Sequence, residues 1–216
     1  MFTGLIETLG TLRSVQPGDR SALLEVRPDQ PLEVRLGDSV AVNGVCLTVE
    51  REPAARAESF VLRAVAETLA RTTLGTLTPG ARLNLERALP ASGRFDGHLV
   101  AGHVDGTGVL RSVRPDGDSI RLTVSAPREL HRYLAQKGSI CLDGISLTIA
   151  QLDAEGFSVA VIPHTLQATT LRDRRPGDRL NLEVDLLARY CERLLSFRDA
   201  PKDDTALLSL LERNGF

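Results

Sequence analysis

The chain has 216 residues, and its 26 Lys+Arg against 28 Asp+Glu leave a formal charge of −2. That balance lacks the basic footprint of a nucleic-acid partner or of a basic membrane-surface protein. Hydrophobic residues make up 42%, enough for a packed core, while aromatics at 4% with no Trp predict aliphatic packing and too few rings to stack single-stranded bases.

In chain order, the opening MFTGLIETLG has neither the basic stretch nor the apolar run of a signal peptide. No segment approaches the ~20 apolar residues of a membrane helix. Cys46, Cys141 and Cys191 are odd in number and lack C-x-x-C spacing, which fits a reduced chain, so a cytoplasmic protein is expected. Short strands are predicted at 6–15, 22–26, 39–42, 45–50, 59–64 and 82–86, with turn signals at Pro17-Gly18-Asp19 and Asn43-Gly44. A linker rich in Gly and small polar residues follows at 90–97. The strand set then recurs at 105–113, 119–125, 139–142, 145–151, 157–162 and 179–184. Short helical turns are expected at 67–71, 127–134 and 164–168. The tail carries a helical apolar stripe over 186–195 and a second helix candidate at 205–213. An apolar helix outside closed barrels points to subunit association, with packing across the barrels as the alternative.

The recurrence is a duplication. GTLRSV at 10–15 returns as GVLRSV at 108–113, NGVCLT at 43–48 as DGISLT at 143–148, and PGARLNLE at 79–86 as PGDRLNLE at 176–183. Between 67 and 86, twelve of twenty residues equal their partners 97 positions on. A period near 97 is a domain, not a solenoid unit. Two homologous domains are therefore expected at 1–97 and 98–186, with a tail at 187–216. Six short strands in under 100 residues suggest a closed antiparallel barrel, which leaves no sheet edge.

The duplicated polar motif is the first functional candidate. Cys46 and Thr48 share one face of a strand, as do Ser146 and Thr148. Packing does not require a polar pair on one face in both domains; filling of a barrel interior is the alternative. His103 stands where the first repeat has Leu5, which suggests divergence of roles, or simply a histidine beside a Gly turn. His98 and His103 have the wrong spacing for a helical metal pair, and no metal is expected. Asp185 could be a helix cap and Lys137 a solvated turn residue. Gly106-x-Gly108 lacks the third Gly of a dinucleotide loop and opens a strand. Ser146 does not sit in a G-x-S-x-G elbow, so a hydrolase triad has no motif support.

MFTGLIE at 1–7, GDSVAVNGVCLT at 37–48, GHLVAGHVDG at 97–106, DGISLT at 143–148 and IPHT at 162–165 together resemble the riboflavin synthases of the tandem lumazine-binding type, over nearly the whole chain. The resemblance implies a mostly β fold, two six-stranded antiparallel Greek-key β-barrels plus a C-terminal α-helix. It implies dismutation of two 6,7-dimethyl-8-ribityllumazine molecules to riboflavin and a pyrimidinedione, with no cofactor. It also implies a homotrimer formed through the C-terminal helices, whose active sites join the first barrel of one subunit to the second barrel of another. Association with lumazine synthase is left open. Carried onto this sequence, Ser146, His103 and Asp185 form the catalytic cluster, with Cys46 and Phe2 from the facing barrel. Gly4, Leu5, Ile6, Cys46, Leu47, Thr48, Arg63, Ala64, Val65, Ala66, Glu67 and Thr68 are expected to line the first pocket. Gly102, His103, Val104, Lys137, Asp143, Ser146, Leu147, Thr148, Ala160, Val161, Ile162, Pro163, His164 and Thr165 are expected to line the second. The alternative is a non-catalytic lumazine- or flavin-binding protein of the same fold.

Overall fold

Apolar residues alternate along strands such as Ser21–Pro28, so every second side chain faces inward and the sheet must close over it. A computed structural model describes residues 1–53, 59–198 and 212–213; the helix expected at 205–213 lies almost wholly outside the described residues. The first repeat forms β1 (Thr8–Pro17), β2 (Ser21–Pro28), β3 (Ser39–Val42), β4 (Val45–Arg51), β5 (Phe60–Val65) and β6 (Arg82–Arg87). They close as β1-β2-β5-β4-β3-β6, all antiparallel, a Greek-key order. The second repeat forms β7 (Gly106–Asp116), β8 (Ser119–Ser125), β9 (Ser139–Leu142), β10 (Ile145–Leu152), β11 (Gly156–Val161) and β12 (Arg179–Val184), closed in the same order. Each barrel holds its own aliphatic core, with Phe60 in one and Phe157 in the other as the large rings.

Short helices α1 (Ala66–Arg71) and α2 (Pro163–Ala168) follow β5 and β11, each continued by a 3₁₀ turn, Thr73–Thr76 and Thr170–Asp173. The stretch expected as a helix at 127–134 is a 3₁₀ helix, Arg128–Tyr133. In the tail, α3 (Leu186–Arg198) carries exposed Leu187, Tyr190, Leu194, Leu195 and Phe197. Contacts divide the chain into Met1–Leu186, which contains both barrels, and the remainder.

The strand expected to begin at residue 6 begins at Thr8, because the residues before it are used elsewhere. They leave their own repeat. Ile6 packs against the second barrel's core, and Val104, its counterpart, against the first. Phe2 and Val100 form an antiparallel bridge (Phe2 N–H to Val100 C=O 2.8 Å, Val100 N–H to Phe2 C=O 3.2 Å). Phe2, Ala41, Val100 and Cys141 make a small apolar cluster of their own.

The barrels meet through matched asparagines. Asn84 Nδ2 donates to Asp143 C=O (2.8 Å) and its Oδ1 accepts from Thr170 N–H (2.9 Å). Asn181 Nδ2 donates to Asn43 C=O (2.9 Å) and its Oδ1 accepts from Thr73 N–H (2.8 Å). Between them the two hairpin turns touch. Gly44 and Gly144 have φ of 78° and 83°, and a Cβ on Gly44 would lie 2.7 Å from Gly144 N. Glycine is required there by both backbone conformation and space.

Candidate active site

Asn43-Gly44 and Asp143-Gly144 turn their hairpins with positive φ at both central residues, the geometry that matches strand twist. The register this sets puts Val45, Leu47 and Val49 in the first core, and Ile145, Leu147 and Ile149 in the second. Alternation then turns Cys46, Thr48, Ser146 and Thr148 outward. Both threonines are exposed, and Cys46 and Ser146 are half-buried. The polar pairs therefore lie on the outer surface of each barrel and do not fill its interior.

The exchanged segments complete each surface. Gly102 C=O accepts from Cys46 N–H (2.9 Å), and Gly4 C=O accepts from Ser146 N–H (2.8 Å). Gly4 and Gly102 have positive φ, and a Cβ on either would meet Ser146 Cβ or Cys46 Cβ at 2.6 Å. The expected grouping of 4–6 with Cys46 and of 102–104 with Ser146 is thus reversed. Gly102, His103 and Val104 flank Cys46, and Gly4, Leu5 and Ile6 flank Ser146. Buried carboxylates hold these segments: Glu86 accepts from the amides of Thr3 (2.6 Å) and Gly4 (3.0 Å), Glu183 from those of Ala101 (2.7 Å) and Gly102 (3.0 Å). Burial raises both carboxyls, that of Glu183 to about 7.

Ser146 has a histidine partner, and it is not His103. His98 Nδ1 lies 2.6 Å from Ser146 Oγ. His98 is 8% exposed, and its Nε2 is a buried atom with no hydrogen-bond partner among the described residues. Burial pushes the imidazole below its ordinary pKa, and the charge of Asp185 partly opposes this. In the tautomer that carries its proton on Nε2, the neutral ring can accept the Ser146 O–H at Nδ1, and the charge of Asp185 favours the imidazolium that a captured proton would create. The structure brings together Ser146, His98 and Asp185, whereas His103 is exposed on the segment beside Cys46.

The remaining expected residues fall into three groups. Leu47, Ala64, Leu147 and Val161 have their side chains in the barrel cores, leaving only main chain for a ligand. Phe2 is fully buried between the barrels. Asp143 is also fully buried: its Oδ1 accepts from Asn181 N–H (2.8 Å), its Oδ2 pairs with Arg174 (2.6 Å), and burial raises its pKa despite that pairing. A second group is exposed beside the polar pairs. Arg63 pairs with Thr48 across β4–β5 and binds Glu50 and Ser21 (3.0 Å). Val65, Ala66 and Glu67 follow it at the surface, with Thr68 half-buried. Ala160, Ile162, Pro163 and His164 are exposed in the second barrel, with Thr165 half-buried. Lys137 forms the third group. It is exposed with φ of 66° where the first repeat has Gly37 at 87°. A non-glycine residue held there is strained, a cost tolerated when the side chain is needed.

A family model, the lumazine binding domain, matches residues 3–88 and again 101–185. The chain is thus of the class built from two lumazine-binding barrels. It is 41% identical to a riboflavin synthase of Actinobacillus pleuropneumoniae over the whole of both chains. It is 38% identical to the riboflavin synthase of Bacillus subtilis, again over the full length of both. The chain belongs to the riboflavin synthase family. In fold it matches the crystal structure of LumP complexed with riboflavin, with a TM-score of 0.75 at 20% identity, covering 85% of this chain and 99% of that one. Among the described residues no helix is long and apolar enough to cross a membrane, and no three His, Cys, Asp or Glu side chains are grouped as a metal site.

Proposed function

We propose that the chain is a riboflavin synthase, a transferase that dismutates two molecules of 6,7-dimethyl-8-ribityllumazine. One gives up a four-carbon unit and leaves as 5-amino-6-ribitylamino-2,4(1H,3H)-pyrimidinedione; the other becomes riboflavin. The observation that carries this reading is the repeated outward pair, Cys46/Thr48 and Ser146/Thr148, each beside an exchanged glycine loop. Two like surfaces suit two like substrates. A dismutation moves carbon between identical molecules and needs no outside oxidant or reductant.

The chemistry begins with the C7 methyl of lumazine, whose carbanion delocalises into the ring, and with nucleophile addition at C7 of the second molecule. Contact between the two rings supplies rate through proximity. Proton transfers then need a base and an acid. Ser146 Oγ, hydrogen-bonded to neutral His98, can accept a proton from a hydroxyl or water added at C7 and pass it to the imidazole, with Asp185 stabilising the resulting charge. Cys46, His103 and Thr48 form the facing surface and position the other ring through main chain and side chain. Lys137 supplies a cation at the edge of the Ser146 surface.

Assembly belongs to the same proposal. The exposed apolar residues of α3 support a homotrimer in which a Cys46 surface of one subunit faces a Ser146 surface of another. The three cysteines are free, which suits a cytoplasmic enzyme. The test is to incubate the protein with the lumazine alone and follow riboflavin by absorbance and chromatography. Catalytic riboflavin formation is the expected outcome. Tight binding without turnover would instead place the chain with non-catalytic lumazine carriers. Light scattering of the full chain should give three subunits.

A further inference from the structure

The outward faces of the two barrels also diverge away from the polar pairs. Gln16 and Leu23 oppose each other between β1 and β2, where the second barrel opposes Arg114 and Arg121 between β7 and β8. Two residues along, Ser14 opposes Glu25 in the first barrel and Ser112 opposes Thr123 in the second. From the first barrel to the second, Gln16/Arg114, Leu23/Arg121 and Glu25/Thr123 each add one positive charge, at neighbouring positions on one face. The three second-barrel residues, with Arg111, Ser158 and Asp153, line a groove of about 470 Å³. Like charges directly opposite on an antiparallel pair repel, so Arg114 facing Arg121 is costly unless an anion lies between them. Arg121 is held by Asp116 (2.6 Å) and Ser158 Oγ (3.3 Å), and Arg111 by Asp153 and Glu155 (2.7 Å). Donors are left over. Among the described residues Arg114 has no hydrogen bond or ion pair, and Arg111 Nε is a buried atom without an acceptor.

We infer that this groove of the second barrel binds a phosphate group between Arg114 and Arg121. A guanidinium presents paired N–H donors that match phosphate oxygens, and its charge shortens and strengthens those bonds. The Thr123 hydroxyl adds a neutral donor where the first barrel has the repelling carboxylate of Glu25. A bound dianion turns the Arg114–Arg121 repulsion into two attractions. Asp153 also lines the groove and keeps the affinity modest. The phosphate has two sources, free phosphate or a phosphate ester at the end of a polyol chain. The groove adjoins the Ser146 surface, which allows the second. Arg121 pairs with Ala160 across β8–β11, and the Ile149–Val159 pairing sets Thr148 beside Ala160. Thr148 and Arg121 therefore lie two strands apart, about 10 Å, with only a methyl group between them. In the first barrel that position is Arg63, tied to Glu50 (2.7 Å), and the same path is filled.

The test is calorimetric titration of the full chain with inorganic phosphate and with ribitol 5-phosphate. Ionic strength is held constant with chloride, because exposed charges are screened by salt. The wild type should bind saturably, with a Kd of about 1 mM or tighter for at least one of the two. Arg114→Gln and Arg121→Leu copy the first barrel, so the fold accommodates them. Each should weaken binding about tenfold or more, the loss of a charge-assisted hydrogen bond. Thr123→Glu, which copies Glu25, should abolish it. Equal affinities for the two probes identify free phosphate as the ligand. Ribitol 5-phosphate binding about tenfold tighter identifies the ester, its chain lying over Ala160, and Ala160→Arg should then remove the advantage. No saturable binding of either probe overturns the inference, and so does binding that is undiminished in folded Arg114→Gln and Arg121→Leu. No lumazine or flavin enters these titrations. Their failure leaves the synthase reading standing, and a wild type that makes no riboflavin leaves the phosphate groove standing.

Discussion

The two barrels of one chain can be laid over each other residue by residue. They share strand order, the glycine turns, the cross-barrel asparagines Asn84 and Asn181, and the buried Glu86 and Glu183. They differ where Asn43 faces Asp143, Leu77 faces Arg174, Cys46 faces Ser146, and Gly37 faces Lys137. The shared set holds the barrels to each other and to their exchanged loops. Half of the differing set, Cys46/Ser146 and Gly37/Lys137, lies on the outward surfaces, where two substrates with different fates would sit. The positions of Asp143 and Arg174 are the exception, a structural difference in which one barrel buries a carboxylate paired with a half-buried arginine where the other buries a neutral amide.

That exception offers the largest test of the comparison. Arg174→Leu, which copies Leu77, leaves the buried Asp143 carboxyl without its cation, and should cost about 3–5 kcal/mol of stability. Adding Asp143→Asn completes the first barrel's version and should recover most of the loss in denaturant unfolding; no recovery would show that the two turns are not interchangeable. The next test separates the surfaces. Ser146→Ala should lower kcat by about a hundredfold or more, the range of a lost proton-transfer group. Cys46→Ala should cost less and act more on KM, because among the described residues no histidine is bonded to it. Equal losses at both positions would remove the division of labour. The smallest expected effect is at Lys137. Lys137→Gly relieves the left-handed strain and should raise stability by about 0.5–1 kcal/mol after the entropy of glycine is counted. Its KM for lumazine should nevertheless rise, and a stabilised variant with unchanged KM would make Lys137 a mere turn residue.

The barrels were legible because a period of two in short segments, repeated with the same turns, admits few closed solutions. That each polar pair shares one face was legible from the same alternation, whereas its outward direction came only with the register of the strands. What local pattern could not reveal is which barrel a leading segment lies on. Residues 1–7 read the same whether they cover their own repeat or the other, and the exchange reversed the expected pocket walls. His98 was passed over because it was weighed only as a metal ligand and because the repeat places its partner before Met1. Glu86 and Glu183 did carry a signal: each ends an identical LNLE block, and a glutamate at an alternating inward-outward boundary in both copies needs a buried partner. Asp143 was drawn toward the substrate by its motif, yet its carboxylate is consumed by Asn181 and Arg174 inside the barrel contact.

The exchange also separates the unit of heredity from the unit of chemistry. Copying the repeat copies a barrel together with the arm that serves its neighbour, so the functional module runs from one arm to the other repeat's strands. A substitution at Ala101 or His103 is felt at Cys46, and one at Thr3 or Leu5 is felt at Ser146. Selection on either surface must therefore act on both halves of the gene at once, and neither half is free to drift while the other is kept.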